Sequence, residues 1–393
     1  MDFEISTEQE KFRQDVREFL EAEIADGSFT ISGHELVGSP NPEFSRKMAQ
    51  RGWIGLTWPK SYGGQERSYV DKMILMEEMC RFHAPIGYHF MGDRQVGPAL
   101  IKFGSEWQKE YFLPRIVKAA DDSSFSLLFS EPNSGSDLVS ITTSAIEDGD
   151  YYIINGQKIW TTFADQCDWG WLLAKTELDE KVPRHQTCSE FLLNLKSPGV
   201  TVRPIINMAG AEGFNEVFID NVRIHKKYLV GKKNAGFKQI MAQVDYERAG
   251  IERLMQNYPV YDELMRFVKR MDRSGINAAY YAWVRDQIAQ LEIEFQGGKL
   301  LCYSCAWTID QEKPVTSQAA LSKFYCTRFE QRLNDLATRV IGPVSLLRGQ
   351  PEFSSLNFDI AESYLWGPGY TLQGGTVEIL KGIFAQRGLG MPR

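Results

Sequence analysis

Hydrophobic positions change their rhythm twice along this chain. From Thr7 to about Ala120 they recur mostly at helical spacing, broken by Gly/Pro punctuation at GSPNPE and PKSYGG, which predicts a helical domain over residues 1–122. From about Ser123 to Gly231 the runs become short and alternating or apolar: FSLLFSEP, the pair TTSAIEDGDYYIING turning at Gly149, WGWLLAKT, SEFLLNLK, VTVRPI and EVFIDNVRI. Short strands separated by Gly, Asn, Asp and Pro turns predict a small β barrel or sandwich over residues 123–233. After Asn234 the helical period returns and holds nearly to the C-terminus, interrupted at Pro259, at RMDRSGIN and around GPVSLLRGQPEFSS. The pattern is α+β in the order α, β, α, with a helical segment over residues 234–393 and no internal repeat.

One position breaks the polarity of its stripe. In the helix expected from GFKQIMAQVDYERAGIERLMQ, Ile240, Val244, Glu247, Ile251 and Leu254 fall within an arc of roughly 80° at about 100° per residue. A carboxylate in an apolar wall either pairs with a cation, such as an arginine on a neighbouring helix, or carries a raised pKa suited to a general base. Spacing alone leaves both open. In the β zone, SEPNSGSD at residues 130–137 combines a fixed Pro132 with a Gly135-Ser136 tip whose N–H groups and hydroxyl suit a pyrophosphate, or simply a turn. Trp160 with Thr161 and Thr162 offers an aromatic and two hydroxyls for a flat polar ring, or ordinary strand residues.

Composition narrows the classes. A length of 393 residues suggests two or three compact units, and 43% hydrophobic with 24% charged residues is ordinary globular usage. The balance of 44 basic against 51 acidic residues, without a Lys/Arg-rich block, argues against nucleic acid as a partner. No apolar run approaches the roughly 18 residues of a membrane helix, and MDFEISTEQEKFRQDVREFL resembles neither a signal nor a transit peptide. A cytoplasmic protein without a membrane partner is the expectation. Cys302 and Cys305 form a CxxC with no second pair or nearby histidine, so they are expected to be core thiols one turn apart and no metal site is expected. GxGxxG, GxxxxGK[ST], GxSxG and HExxH are all absent, which disfavours Rossmann, P-loop and common hydrolase chemistry.

Taken in order, GWIGLTWPKSYGG, FGSEWQKEYFLP, LFSEPNSGSDL, INGQKIWTT and the C-terminal GGTVEI resemble motifs of the acyl-CoA dehydrogenase family, at family spacing along the full chain. The resemblance implies an N-terminal helical domain, a central β domain and a C-terminal four-helix bundle, with FAD held between the last two. It implies that Ser130 bonds the flavin ring, Gly135 and Ser136 contact the pyrophosphate, Trp160 packs on the isoalloxazine, Thr162 reaches toward N5, and Thr376 and Glu378 touch the cofactor. The reaction implied is α,β-desaturation of an acyl-CoA thioester, with a base taking an α-proton and the β-hydrogen leaving as hydride to flavin N5.

Two departures from the family pattern sharpen this. Most members carry the base in a Tyr-Glu-Gly-Thr segment, where this chain has Gln373-Gly374-Gly375-Thr376. A minority places it on the first bundle helix in an Asp-x-Glu-Arg context, which Asp245-Tyr246-Glu247-Arg248 matches, so the resemblance also singles out Glu247. It leaves the Gly374 N–H to hold the thioester oxygen and Tyr246, Arg248 and Gly375 to border the substrate, with room for a bulky acyl group. Secondly, the Arg-x-x-Phe-Gly and Gln-x-x-Gly-Gly segments that complete FAD sites in homotetramers are replaced by RMDRSGINAAYYAW and Arg339-Val340-Ile341-Gly342-Pro343. This pattern, with the ending GLGMPR, resembles the base-carrying subunit of bacterial heterotetrameric, steroid side-chain enzymes. It implies an α2β2 assembly with a homologous partner and electron-transferring flavoprotein as acceptor. An oxidase or monooxygenase on the same scaffold, and a non-catalytic subunit, are the alternatives.

Overall fold

The computed structural model describes residues 3–30, 39–271, 277–348 and 360–392, and it describes the backbone but not the side chains of Asp245, Tyr246 and Glu247. The interior of the RMDRSGIN interruption, the end of the one at GPVSLLRGQPEFSS, and Arg393 lie outside these residues. Helices α1 (Thr7–Ala25), α2 (Pro42–Gln50), α3 (Tyr69–Arg81), α4 (Gly87–Met91), α5 (Gly97–Phe103) and α6 (Glu106–Val117) come first. Strands β1 (Phe125–Leu128), β2 (Ser144–Asp148), β3 (Tyr151–Thr162), β4 (Trp169–Lys175), β5 (Cys188–Asn194), β6 (Val200–Ile205), β7 (Phe214–His225) and β8 (Leu229–Val230) follow. The chain then returns to helix in α7 (Gly236–Arg248), α8 (Glu252–Met255), α9 (Tyr258–Arg270), α10 (Ala278–Asp310), α11 (Thr316–Ile341), α12 (Ile360–Leu372) and α13 (Val377–Ile383). The α+β class and the α, β, α order are those the rhythm predicts.

Backbone packing divides the chain into two compact units, one from residues 39–67 and 85–247, the other from 1–38, 68–84 and 248–393. The N-terminal helices are thus shared between the units. In the first, the eight strands run β6-β7-β3-β2-β4-β5-β8, with β1 added in parallel to β4. The β2–β3 hairpin closes through Gly149 and Asp150, with Asp148 paired to Tyr151 and Gly149 at φ +57°, a left-handed geometry that glycine adopts without steric cost. Inward positions of β3 and β7, Tyr152, Ile154, Val217, Ile219 and Val222, meet Phe191 in the sheet's core. Strands β4 and β5 are buried along almost their whole length, which is why they read as continuous apolar runs.

In the second unit α10 and α11 pack together, α11 also carries α12 and α13, and α3 lies on α10. Buried positions on α10 at Leu291, Phe295, Gly298, Cys302 and Cys305 keep helical spacing. Cys302 and Cys305 are buried free thiols, and among the described residues no group of side chains could hold a metal ion. No described helix is long and apolar enough to cross a membrane.

One expected element differs. The helix through Glu247 does not continue to Gln256: α7 ends at Arg248, and Ile251 and Leu254 belong to the cap and body of the separate α8. Gly250 marks the break, where an added Cβ would come within 2.0 Å of the Glu252 carboxylate. Ile251 and Leu254 are still buried, so the apolar period runs on across a break it does not reveal.

Candidate active site

The sheet unit builds one set of predicted residues around a buried ion pair. Glu131, 6% exposed, and Lys158, fully buried on β3, meet at 2.8 Å. The same carboxylate accepts from the Thr142 N–H at 2.6 Å, the Thr142 hydroxyl at 2.8 Å and the Thr143 N–H at 2.9 Å, while Lys158 also donates to the Phe129 carbonyl at 3.1 Å. Burial alone would raise the Glu131 carboxyl, but the Lys158 ammonium and the hydrogen bonds from Thr143 and Thr142 outweigh it and hold it down at about 2. Burial draws the Lys158 ammonium down to about 8 against the pull of Glu131, so both groups are charged at neutral pH.

This pair fixes the base of the 130–137 loop. Glu131 and Ser134 exchange backbone hydrogen bonds of 2.8 and 3.0 Å around Pro132 and Asn133, and the Ser134 hydroxyl donates to the Asp137 carbonyl at 2.6 Å. Gly135 and Ser136 stand exposed at the tip, and a Cβ added to Gly135 would meet no atom within 4 Å. The Ser130 carbonyl accepts from the Ile159 N–H at 2.9 Å, which sets Ser130 beside the end of β3.

That end of β3 carries a bulge between Lys158 and Thr161. Trp160 takes φ +61° there and is 56% exposed, with Phe214 edge-on at 6.1 Å between ring centres. Thr161 turns inward, where its hydroxyl is buried with no hydrogen-bond partner among the described residues, and Thr162 turns back to the half-exposed side. A large aromatic held in the left-handed region and left exposed is unusual, and it suits a surface for a flat partner. Fixed N–H groups and a hydroxyl at 135–136, with an open indole and a hydroxyl at 160 and 162, form a donor set that fits a flavin dinucleotide.

The helical unit builds the second set. Gly374 and Gly375 both adopt left-handed backbone, at φ +65° and +100°. Buried Arg248 donates from Nε to the Gly374 carbonyl at 3.3 Å, and a Cβ at Gly375 would lie 3.2 Å from the Arg248 guanidinium. Among the described residues no backbone hydrogen bond uses the Gly374 N–H. Thr376 caps α13, its hydroxyl accepting from the Ile379 N–H at 3.3 Å, and Glu378 sits exposed in that helix's first turn, where the dipole favours a carboxylate. The backbone is helical through residues 245–247, while the side chains of Tyr246 and Glu247 lie outside the described residues.

Several buried ionisable groups escaped the sequence reading, among them Lys158, Lys323, Glu190 and Glu330. Lys158 and Lys323 are fully buried cations beneath the two loops. Glu190 on β5 accepts from Trp171 Nε1 at 2.6 Å, Gln239 at 2.6 Å and Gln243 at 3.0 Å, and burial pushes its carboxyl up to about 7 against those hydrogen bonds. A signal existed for Lys323 and Glu330, which share one stripe of α11 with Ala319, Ala320, Cys326 and Thr327. The wheel argument applied to Glu247 would have found them.

Residues 6–120 match the acyl-CoA dehydrogenase N-terminal domain, 126–222 the middle domain and 234–389 the C-terminal domain. The chain is 33% identical over 393 residues to "Acyl-CoA dehydrogenase IpdE1" of Mycobacterium tuberculosis, covering 98% of each chain. Among solved structures, "Tcur3481-Tcur3483 steroid ACAD" is similar over 100% of both chains at 28% identity with a TM-score of 0.88. The "ChsE4-ChsE5 complex from Mycobacterium tuberculosis" matches over 100% of both chains at 29% identity with a TM-score of 0.85.

Proposed function

The chain belongs to the acyl-CoA dehydrogenase family of FAD-dependent oxidoreductases, and on that premise we propose that it desaturates a bulky acyl-CoA, of the steroid side-chain type, with Glu247 as the base. Residues 1–122, 123–233 and 234–393 act as the N-terminal, flavin-binding and base-carrying segments. Ser130, Gly135, Ser136, Trp160 and Thr162, with Thr376 and Glu378, hold the cofactor. Bound FAD supplies the acceptor for the two electrons and the hydrogen that leave the β-carbon. The protein's own part is to bind, orient and deprotonate. Glu247 takes the α-proton, the Gly374 N–H donates to the thioester oxygen as negative charge develops there, and Tyr246, Arg248 and Gly375 border the acyl chain.

The observation that carries this reading is the Arg248 to Gly374 hydrogen bond, because it brings the residue following Glu247 in the chain onto the loop whose Gly374 N–H no backbone group among the described residues accepts. Glu247→Gln is expected to fold and retain flavin while losing acyl-CoA-dependent dye reduction by about three decades, within the range for a lost general base. Near-normal turnover would refute the assignment.

A homologous partner subunit in an α2β2 assembly, electron-transferring flavoprotein as acceptor and a cytoplasmic location complete the proposal. Its support in this chain is Arg339, which stands where homotetrameric members carry a glutamine. Its guanidinium lies 4.9 Å from the Trp283 ring centre and 3.6 Å from Asp335, within its own helices. The two solved structures described above carry two-component names, one of them a steroid ACAD and the other a complex. Expressed alone the chain should be poor in FAD, and co-expression with the homologous partner should restore it; a flavin-saturated, active homotetramer would contradict the partner.

A further inference from the structure

Lys323 is fully buried on α11. An ammonium removed from water needs strong acceptors, and Nζ donates to the Tyr370 carbonyl at 3.1 Å and to the Gly375 carbonyl at 2.8 Å. The two acceptors lie on either side of a turn. Tyr370 belongs to the last turn of α12, where carbonyls have no partner further along the helix, and Gly375 lies beyond the helix end. One point charge therefore ties the exit of α12 to the far side of the turn, with Gly374 between them.

Each peptide plane joins one residue's carbonyl to the next residue's N–H, so the Gly374 N–H moves with the Gln373 carbonyl, between the held Tyr370 carbonyl before it and the held Gly374 and Gly375 carbonyls after it. Arg248 holds the plane that follows Gly374, and Lys323 holds the plane that follows Gly375 together with the helix end before the turn. Two adjacent glycines would otherwise leave this backbone the freest in the region. An apolar side chain could fill the same space without the desolvation cost of an ammonium, so packing alone does not account for a lysine.

We propose that Lys323 is a positioning residue for the dehydrogenation: by gripping the Tyr370 and Gly375 carbonyls it fixes the direction in which the Gly374 N–H faces the thioester oxygen. This rests on the reading of Gly374 as the thioester donor. It adds no step to the reaction, since Lys323 acts through the main-chain carbonyls it holds and its proton stays in place.

The test compares Lys323→Met and Lys323→Arg with the parent, each as FAD-loaded enzyme with its partner subunit. Amide hydrogen exchange is followed over residues 373–376, and kcat and KM are measured with cyclohexylpropanoyl-CoA as the probe. For Lys323→Met, exchange at 373–376 is expected to quicken about tenfold with α11 unchanged. Its kcat should fall about 100-fold, the scale of a misdirected oxyanion donor, while KM moves less than about threefold. Lys323→Arg should recover part of kcat. Unchanged exchange over the loop, or an unchanged kcat, overturns the proposal, as does a loss confined to melting temperature. If Lys323→Met does not fold, Lys323→Gln is read by the same two criteria. If Glu247→Gln keeps its turnover while Lys323→Met loosens the loop and loses kcat, the base assignment fails and the loop clamp stands.

Discussion

Two loops proposed to face ligand are each anchored by a buried lysine, and the anchors differ in kind. Lys158 gives its charge to Glu131, which gathers three more donors, so the base of the 130–137 loop is a closed, charge-balanced cluster. Lys323 grips two main-chain carbonyls on either side of the glycine turn. A carboxylate partner titrates and a carbonyl does not. The first anchor must weaken in acid, whereas the second persists while its ammonium remains charged. The loop proposed to bind a permanent anion is thus held through a side-chain ion pair, and the loop proposed to meet developing negative charge through main-chain carbonyls gripped by a lysine whose charge the buried Glu330 also feels.

The contrast can be broken at several points. The largest effect is expected from Glu247→Gln, about three decades in turnover with an unchanged melting temperature, because the substitution removes a proton acceptor and leaves both anchors intact. Lys158→Met should follow. It strands Glu131 as a buried charge, and chemical denaturation should report a loss of about 3–5 kcal/mol together with reduced flavin content. A variant as stable as the parent would show that the pair does not hold the loop.

The acid limb of stability comes next. The Glu131 carboxyl lies at about 2 in the folded protein against an ordinary 4.5. The folded state therefore binds fewer protons between those values, and this contribution, complete above pH 4.5, is lost as the pH falls from there toward 2. Glu131→Gln should flatten that part of a pH-stability profile. The smallest effect sharpens the comparison through Glu190, a buried carboxyl served by neutral donors. Its value of about 7 lies above 4.5, so the folded state keeps the proton longer and stability declines as pH rises from 4.5 through 7. Glu190→Gln should remove that decline, worth about 1–2 kcal/mol once lost hydrogen bonds are counted, and urea titrations at acidic and alkaline pH would show it. Parallel slopes for the two acids would overturn the distinction between charged and neutral partners.

Legibility in the sequence followed the range of the interactions involved. The Gly149 hairpin and the buried β4 and β5 were readable because turn chemistry and side-chain period act over a few residues. The break at Gly250 was hidden by the burial of Ile251 and Leu254 beyond it. Trp160 and Thr162 were named from residue type, but their exposure depends on a bulge that arises only when β3 pairs with β7. Glu131 and Lys158 are 27 positions apart, and Lys323 and Gly375 are 52 apart. No local rule couples such positions.

By itself the sequence determined the order of helical and sheet segments, the chemical types at the two loops and the family pattern in which they stand, because propensity, periodicity and motif spacing are properties of neighbouring residues. Tertiary structure decided which buried cation holds which loop, which side of a strand end meets solvent, and where the first helix of the last segment stops. Those outcomes depend on desolvation, and a charged group's surroundings are known only once distant segments have closed around it.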